Sequence, residues 1–363
     1  MPTPLRRPLP SLFLGCTLLF AGALRAQQPA ALAPLTLGQA VEISLKNYPA
    51  IRVSQEELNA ASAAIQLART AYLPRIDALA QVNRATRNNV FGQLFPQNVI
   101  PSMSGPVIGS DNLGTVWGSA IGGLVTWEPF DFGLRAANVQ VANAAKAQSE
   151  AAVKRTQFDI TVAAADAYLT LVAAQETVRA AQAGVDQAEV LLRTITALVN
   201  AQLRPGADQS RAEAELAAAR TQLIQAQQAV EVARANLGQF VGREPSQIAV
   251  VNGNLTQLPA GQTQQPPHLA SNPLVVEQNA VVEQARAQLR ALERTYFPKF
   301  ALQGAVFARG SGAEVDGGRL GGLNGLAPTY QNYALGFSVT FPIFDLPSIR
   351  AREAQQSASI RAQ

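Results

Sequence analysis

The chain reads as a mixed α and β protein: a long antiparallel α-helical coiled-coil hairpin joined to four β-strands, laid out as an incomplete internal duplication. Three observations predict this. One strand-ending phrase occurs twice, a seven-residue apolar repeat runs through two consecutive segments, and four short segments alternate apolar residues with small or polar ones.

The duplication is clearest where strands end. WEPFDFGLRAANVQ at 127–140 and FPIFDLPSIRAREAQ at 341–355 both pass through Phe-Asp and reach an arginine that opens an Ala- and Gln-rich segment. These are the candidate strand-to-helix junctions, Asp131 with Arg135 and Asp345 with Arg350. Upstream, one constant shift sets Pro49 on Pro273, Tyr72 on Tyr296 and Pro74 on Pro298. A period of roughly 220 residues is far too long for a solenoid, so the chain divides into two large related halves.

Taken in order, residues 1–26 form a secretory signal, with Arg6-Arg7, an apolar run and small residues before a cleavage point. Cys16, the one cysteine, is either an ordinary residue of that run or a lipid acceptor in a partial lipobox, Leu14-Gly15-Cys16. Residues 27–258 make the first repeat: a helix, two strands and a long helical hairpin. A Pro/Gln-rich connector follows at 259–270. Residues 271–363 repeat the helix and two strands, then begin a further helix.

The strands carry a period of two. Tyr333, Leu335, Phe337, Val339 and Phe341 share one face of their segment, and Trp117, Ile121 and Trp127 share one face of another. Ile76 to Val82 and Phe300 to Val306 alternate in the same way. Such a sheet could cover a soluble core. Aromatic residues at the strand ends and long Gly-rich connections inside each strand pair favour lipid instead. The eight named residues of the Trp117 and Tyr333 segments are therefore the lipid-facing candidates.

The hairpin rests on heptads. Leu171, Val178, Val185, Leu192 and Val199 recur every seventh position, and Leu216, Leu223, Val230 and Leu237 resume the pattern on the return. Alanines interleave both series, so the two backbones approach closely in a left-handed coiled coil. Pro205-Gly206 reverses the chain. A first helix of nearly 70 residues, about 100 Å at 1.5 Å per residue, carries the tip far from the strands.

Composition excludes several functions. The net charge of +4 is spread along the chain with no basic stripe for nucleic acid. The single histidine, His268, lies in the connector, and no Cys/His/carboxylate spacing suits a metal. No Gly-rich loop stands between a strand and a helix as phosphate binding requires. No cofactor and no catalysis are expected. Asp131 and Asp345 fall where a carboxylate accepts helix N–H groups, and a capping role outweighs paired acid catalysis.

Nearly the whole chain after the signal resembles the TolC-type outer membrane efflux proteins. LTLGQAVEISLKNYPAIRV and its continuation resemble the family's first helix and barrel entry. PFDFGLR resembles its strand-to-helix junction, and RPGADQSRAEAELAAARTQLIQAQQ resembles its hairpin tip and return helix. The resemblance implies a homotrimer whose chains each give four strands to one 12-stranded transmembrane barrel in the outer membrane of a Gram-negative cell, with a helical tunnel in the periplasm. It implies a passive exit duct for a tripartite efflux pump or type I secretion system. The partners would be an inner-membrane pump and a periplasmic adaptor (membrane fusion protein) docked at Arg204, Pro205, Gly206, Ala207 and Asp208. The family's second helical hairpin is missing from this chain, which reads as truncated. The alternative function is a non-channel periplasmic coiled-coil interaction protein.

Overall fold

The structure, a computed structural model, describes residues 34–86, 114–253, 255–257, 269–314 and 318–363. The signal segment, Cys16, His268, most of the connector and nearly all of the connection between the first two strands lie outside them.

Helix α1 (Leu37–Asn47) starts at a reciprocal cap: the Gln39 N–H donates to Thr36 Oγ1 at 3.3 Å, and the Thr36 N–H to Gln39 Oε1 at 3.1 Å. It stops at Tyr48, which is extended because Pro49 follows. Pro49, harmless at a first helical position, opens α2 (Pro49–Thr70). Strands β1 (Arg75–Thr86) and β2 (Thr115–Trp127) follow, and then α3 (Leu134–Asn200). With 67 residues, α3 is about 100 Å long. The chain reverses into α4 (Gly206–Val241), which ends at Gly242 in the left-handed region, φ 68°. The same helix, strand, strand, helix order recurs as α5 (Pro273–Glu293), β3 (Lys299–Ser311), β4 (Tyr330–Thr340) and α6 (Leu346–Ala362).

The four strands form one antiparallel sheet in the order β1-β2-β3-β4. Its register sets Ile76, Val125, Gly304 and Leu335 side by side. At one end of the sheet the helices pack in the matching order: α2 on α3, α3 on α5 and α5 on α6. The fold therefore has the long helices and four strands that the sequence predicts.

Farther from the sheet, α3 and α4 pair along the heptads. Val185, Ala188 and Leu216 are buried there, flanked by Leu192, Ala219 and Leu223. A larger core gathers Leu35, Ala40, Leu171, Leu237, Val241 and Ile248 around Tyr168. Full burial of Leu171 or Leu237 is worth about 1.5–3 kcal/mol each. The Tyr168 hydroxyl lies 2.9 Å from the Leu35 carbonyl and 2.7 Å from that of Val251, clamping the short parallel bridge Leu35–Val250 to the middle of α3.

The connection after β3, Gly-rich and unpatterned as sequence, is folded in its described part. Gly312 N–H donates to the Trp117 carbonyl at 2.9 Å and Leu320 N–H to that of Gly312 at 3.0 Å. Asn324 Nδ2 holds the Leu320 and Gly321 carbonyls at 3.0 and 3.1 Å. Glycine is required because Gly321, Gly322 and Gly325 all have positive φ.

Candidate functional site

The strand register sorts every side chain to one of two faces. On the first, Ile76, Val82, Ile121, Val125, Val306, Tyr333, Leu335, Phe337 and Val339 are all exposed, Tyr333 at 86% and Leu335 at 76%. Trp127 shares this face, and Phe341 lies one residue past β4. Trp117 belongs to it as well but is half-buried, with the Arg84 guanidinium 5.3 Å above its ring. A continuous exposed apolar face of this size has no stable place in water.

The second face carries most of the sheet's polar groups, Asp77, Gln81 and Asn83 on β1, Thr126 on β2, Gln303 and Arg309 on β3, Asn332 and Ser338 on β4, among small residues and the apolar Leu79, Val116, Leu124 and Phe307. Gln303 Nε2 lies 3.5 Å from Thr126 Oγ1 across the β2–β3 pair. Gly122 sits opposite Phe307, with no room for a Cβ against that side chain. A face that is mainly apolar opposite one that carries most of the polar groups is the pattern of a strand with lipid on one side and water on the other.

At the first junction, Phe132 and Gly133 both have positive φ, 52° and 88°. That turn brings the Asp131 carboxylate to the start of α3, where it accepts from the Gly133 N–H at 3.2 Å and the Arg135 N–H at 2.6 Å. Arg135 Nε donates to it at 2.9 Å, and Arg135 Nη1 reaches the Ala71 carbonyl at 3.3 Å. The guanidinium also lies 4.9 Å from the Tyr72 ring centre. Burial pushes the Asp131 carboxyl up, but these donors and the Arg135 charge outweigh it and hold it below its ordinary value. The end of α2 is thereby tied to the start of α3. Phe132 also stacks on Phe297, 5.1 Å between centres, joining this junction to the entry of β3.

The second junction differs. Asp345 precedes α6 without any side-chain capping bond, contrary to the expectation that both aspartates cap. The turn differs: Pro347, two places after Asp345 where Gly133 stands after Asp131, has no N–H to offer, and the positive-φ pair that folds the Asp131 carboxylate back onto its helix is not repeated, since Asp345 itself is helical. Here Ser348 Oγ donates to the Asp345 carbonyl at 2.8 Å, and Glu353 accepts from the Tyr296 hydroxyl at 2.8 Å. Burial, and then Glu353, push the Tyr296 hydroxyl above its ordinary value, with Arg350 opposing them only in part.

The hairpin turn exposes Arg204, Pro205, Gly206 and Ala207 to solvent, beside an exposed Leu203. Arg204 and Asp208 form a long, exposed ion pair at 3.4 Å. Sequence reasoning missed the Arg84–Trp117 stack and the Tyr168 clamp. Both join residues distant in sequence, and only the register brings them together.

Among the described residues, no group of three or more His, Cys, Asp or Glu could hold a metal ion, and no helix is long and apolar enough to cross a membrane.

A sheet with one lipid-ready face, continued at one end by a helical bundle longer than a membrane is thick, defines an outer-membrane channel protein with a periplasmic tunnel. The model of the outer membrane efflux protein family matches residues 40–243, and the chain belongs to that family. Its place is the outer membrane of a Gram-negative bacterium, with the helices in the periplasm. Three solved structures are similar over 90% of this chain. The outer-membrane channel OprN is 22% identical with a TM-score of 0.67, over 68% of its own chain. A membrane protein from Pseudomonas aeruginosa is 18% identical with a TM-score of 0.69, over 70% of its chain. The open state of the MtrE outer membrane channel of Neisseria gonorrhoeae is 20% identical with a TM-score of 0.63, over 67% of its chain. Comparison with curated proteins returned no match.

Proposed function

We propose that this chain forms a passive exit duct as a homotrimer, three copies closing twelve strands into one barrel. The observation that carries the reading is the sheet's pair of open edges. Among the described residues β1 and β4, of 12 and 11 residues, are each hydrogen-bonded to a neighbouring strand on one side, and both bear an apolar face. An open edge in lipid leaves a row of backbone groups unsatisfied at several kcal/mol apiece, so β4 of one copy must meet β1 of the next until the ring closes. The polar face then lines the water-filled interior, and the order α2-α3-α5-α6 continues the wall into the periplasm.

The exposed turn at Arg204–Asp208 docks a periplasmic adaptor, which couples the duct to an inner-membrane pump. A tip held about 100 Å from the sheet and exposed to solvent has little structural purpose of its own. The two structural repeats, 27–258 and 271–363, share the work: both supply wall, and the first alone supplies this tip. The chain itself performs no chemistry, and the pump supplies energy and selection.

Reconstitution tests this. The mature protein in lipid bilayers should run as a trimer on native gels and give discrete single-channel currents. A monomeric species that leaves membranes without detergent and passes no current would sink the duct and leave the coiled-coil interaction protein.

A further inference from the structure

The membrane-facing side carries one feature that conduction does not use, at the end of the sheet away from the helices. Arg84 pairs directly across from Trp117, on the face of Ile121 and Val125. Its guanidinium lies over the indole, and its Nε donates to Thr115 Oγ1 at 2.9 Å. The two terminal nitrogens have no hydrogen-bond partner and no carboxylate among the described residues. An arginine facing lipid is costly at the membrane midplane and nearly free at the interface.

Its level is set by β2. Trp117 and Trp127 are ten residues apart on one face. That separation is about 33 Å along a strand, or about 25 Å across the membrane at a barrel's tilt, the height of an apolar band between its two aromatic girdles. Arg84 therefore stands at the outer-leaflet interface, where lipid phosphates lie, with Val82 directly below it on the same face and 60% exposed.

The connection after β3 folds back onto this same face. Gly310 is paired with Ser119, and a Cβ on it would come within 2.7 Å of both the Gly325 carbonyl and Ser119 Oγ. A Cβ on Gly312 would come within 2.6 Å of the Asn324 carbonyl. Residues 324–327 thus lie on the lipid side beside Trp117, burying Ser119 to 3%, while Leu323 stands 72% exposed. A loop that served only to narrow the mouth would not cover this face.

We propose that Arg84, braced by Trp117 and Thr115 beside the folded-back loop, binds the phosphate of an outer-leaflet glycolipid, whose acyl chains lie against Val82 and the apolar face below it. The proposal rests on the outer-membrane channel reading above. The free fork of the guanidinium matches two phosphate oxygens, and the cation–π stack holds it in position. The apolar surface next to the cation selects a lipid phosphate over a free one.

The test compares wild type, Arg84→Gln and Arg84→Lys in phosphatidylcholine vesicles containing diphosphorylated lipid A, fully dephosphorylated lipid A, or neither. Lipid retained per trimer is counted by native mass spectrometry, and single-channel current is recorded from the same preparations. Wild type should retain the diphosphorylated lipid and release the dephosphorylated one. R84Q should lose at least about tenfold in retention, the least that losing a two-bond charge-assisted contact would give, with unchanged conductance, and R84K should fall between them. Equal retention of both lipids by wild type, which needs no variant to fold, would overturn the site. So would full retention by R84Q. A wild type that conducts but retains no lipid A sinks the lipid site alone, whereas one that neither inserts nor conducts sinks the duct with it.

Discussion

The Asp131 carboxylate accepts both the backbone N–H of Arg135, at 2.6 Å, and its Nε, at 2.9 Å, so one buried acid caps a 67-residue helix and neutralises its first arginine. Both side chains are about 10% exposed, at 11% and 10%. Asp131→Ala leaves the arginine buried without its partner and should destabilise the chain by on the order of 3 kcal/mol, whereas Asp345→Ala should stay within about 0.5 kcal/mol. Heat resistance of the reconstituted protein compares the two. Equal losses would mean that the junctions are equivalent after all.

The same carboxylate sets an acid dependence. Its folded-state pKa lies below its ordinary value, so its contribution is complete above the unfolded carboxylate pKa of about 3.9 and disappears as pH falls through the lower folded value. Wild type should lose stability more steeply than Asp131→Asn from roughly pH 4 downward. Parallel acid-unfolding curves would remove the pair from the account.

The two faces of β4 should respond oppositely to charge. Phe337→Lys puts an ammonium into the apolar band and should cost about 2–4 kcal/mol, seen as lost heat resistance and poor insertion. Ser338→Lys, one residue on, should insert normally and shift the ion selectivity of the channel. A reversed pattern would mean that the faces have been exchanged.

Gly122→Ala should weaken the β2–β3 pair by about 1–3 kcal/mol, as overpacking does. The added Cβ meets the Val306 carbonyl at 2.5 Å and the Phe307 Cα at 2.6 Å as well as the phenyl side chain. Phe307→Ala should therefore fail to rescue it, because the obstruction is mostly backbone. Full rescue by the double variant would show that the strands can separate.

Replacing Arg204–Asp208 by a flexible turn should leave trimer formation and conductance intact while abolishing cross-linking to the adaptor and efflux in cells. Efflux at the wild-type level would show that docking lies elsewhere. Tyr168→Phe, in contrast, should act on folding: losing the hydroxyl that reaches the Leu35 and Val251 carbonyls costs about 1–2 kcal/mol and should speed hydrogen exchange around both.

Much of this architecture was legible in the residues by themselves because it repeats. A period of two reports which side chains share a strand face, a period of seven reports a helix pair, and a constant shift from Pro49 to Pro273 reports a duplication. Each signal is local and survives without knowledge of what lies opposite. Family membership was legible for the same reason, through the order and spacing of those segments. Matching phrases misled where the turn changed: Asp131 and Asp345 look alike, yet Pro347 lacks the N–H that Gly133 supplies, and the positive-φ turn that aims the first carboxylate is absent at the second.

The sequence by itself thus determined the elements, their two faces and the reach of the hairpin. Tertiary structure alone decided which distant residues meet: Arg84 over Trp117, Arg135 against Tyr72, Tyr168 between the Leu35 and Val251 carbonyls, and the Gly-rich connection folded onto the lipid side. The physical reason is range. Periodicity depends on neighbours a few residues away, whereas these contacts depend on strand register and positive-φ turns that bring residues tens to more than a hundred positions apart into contact.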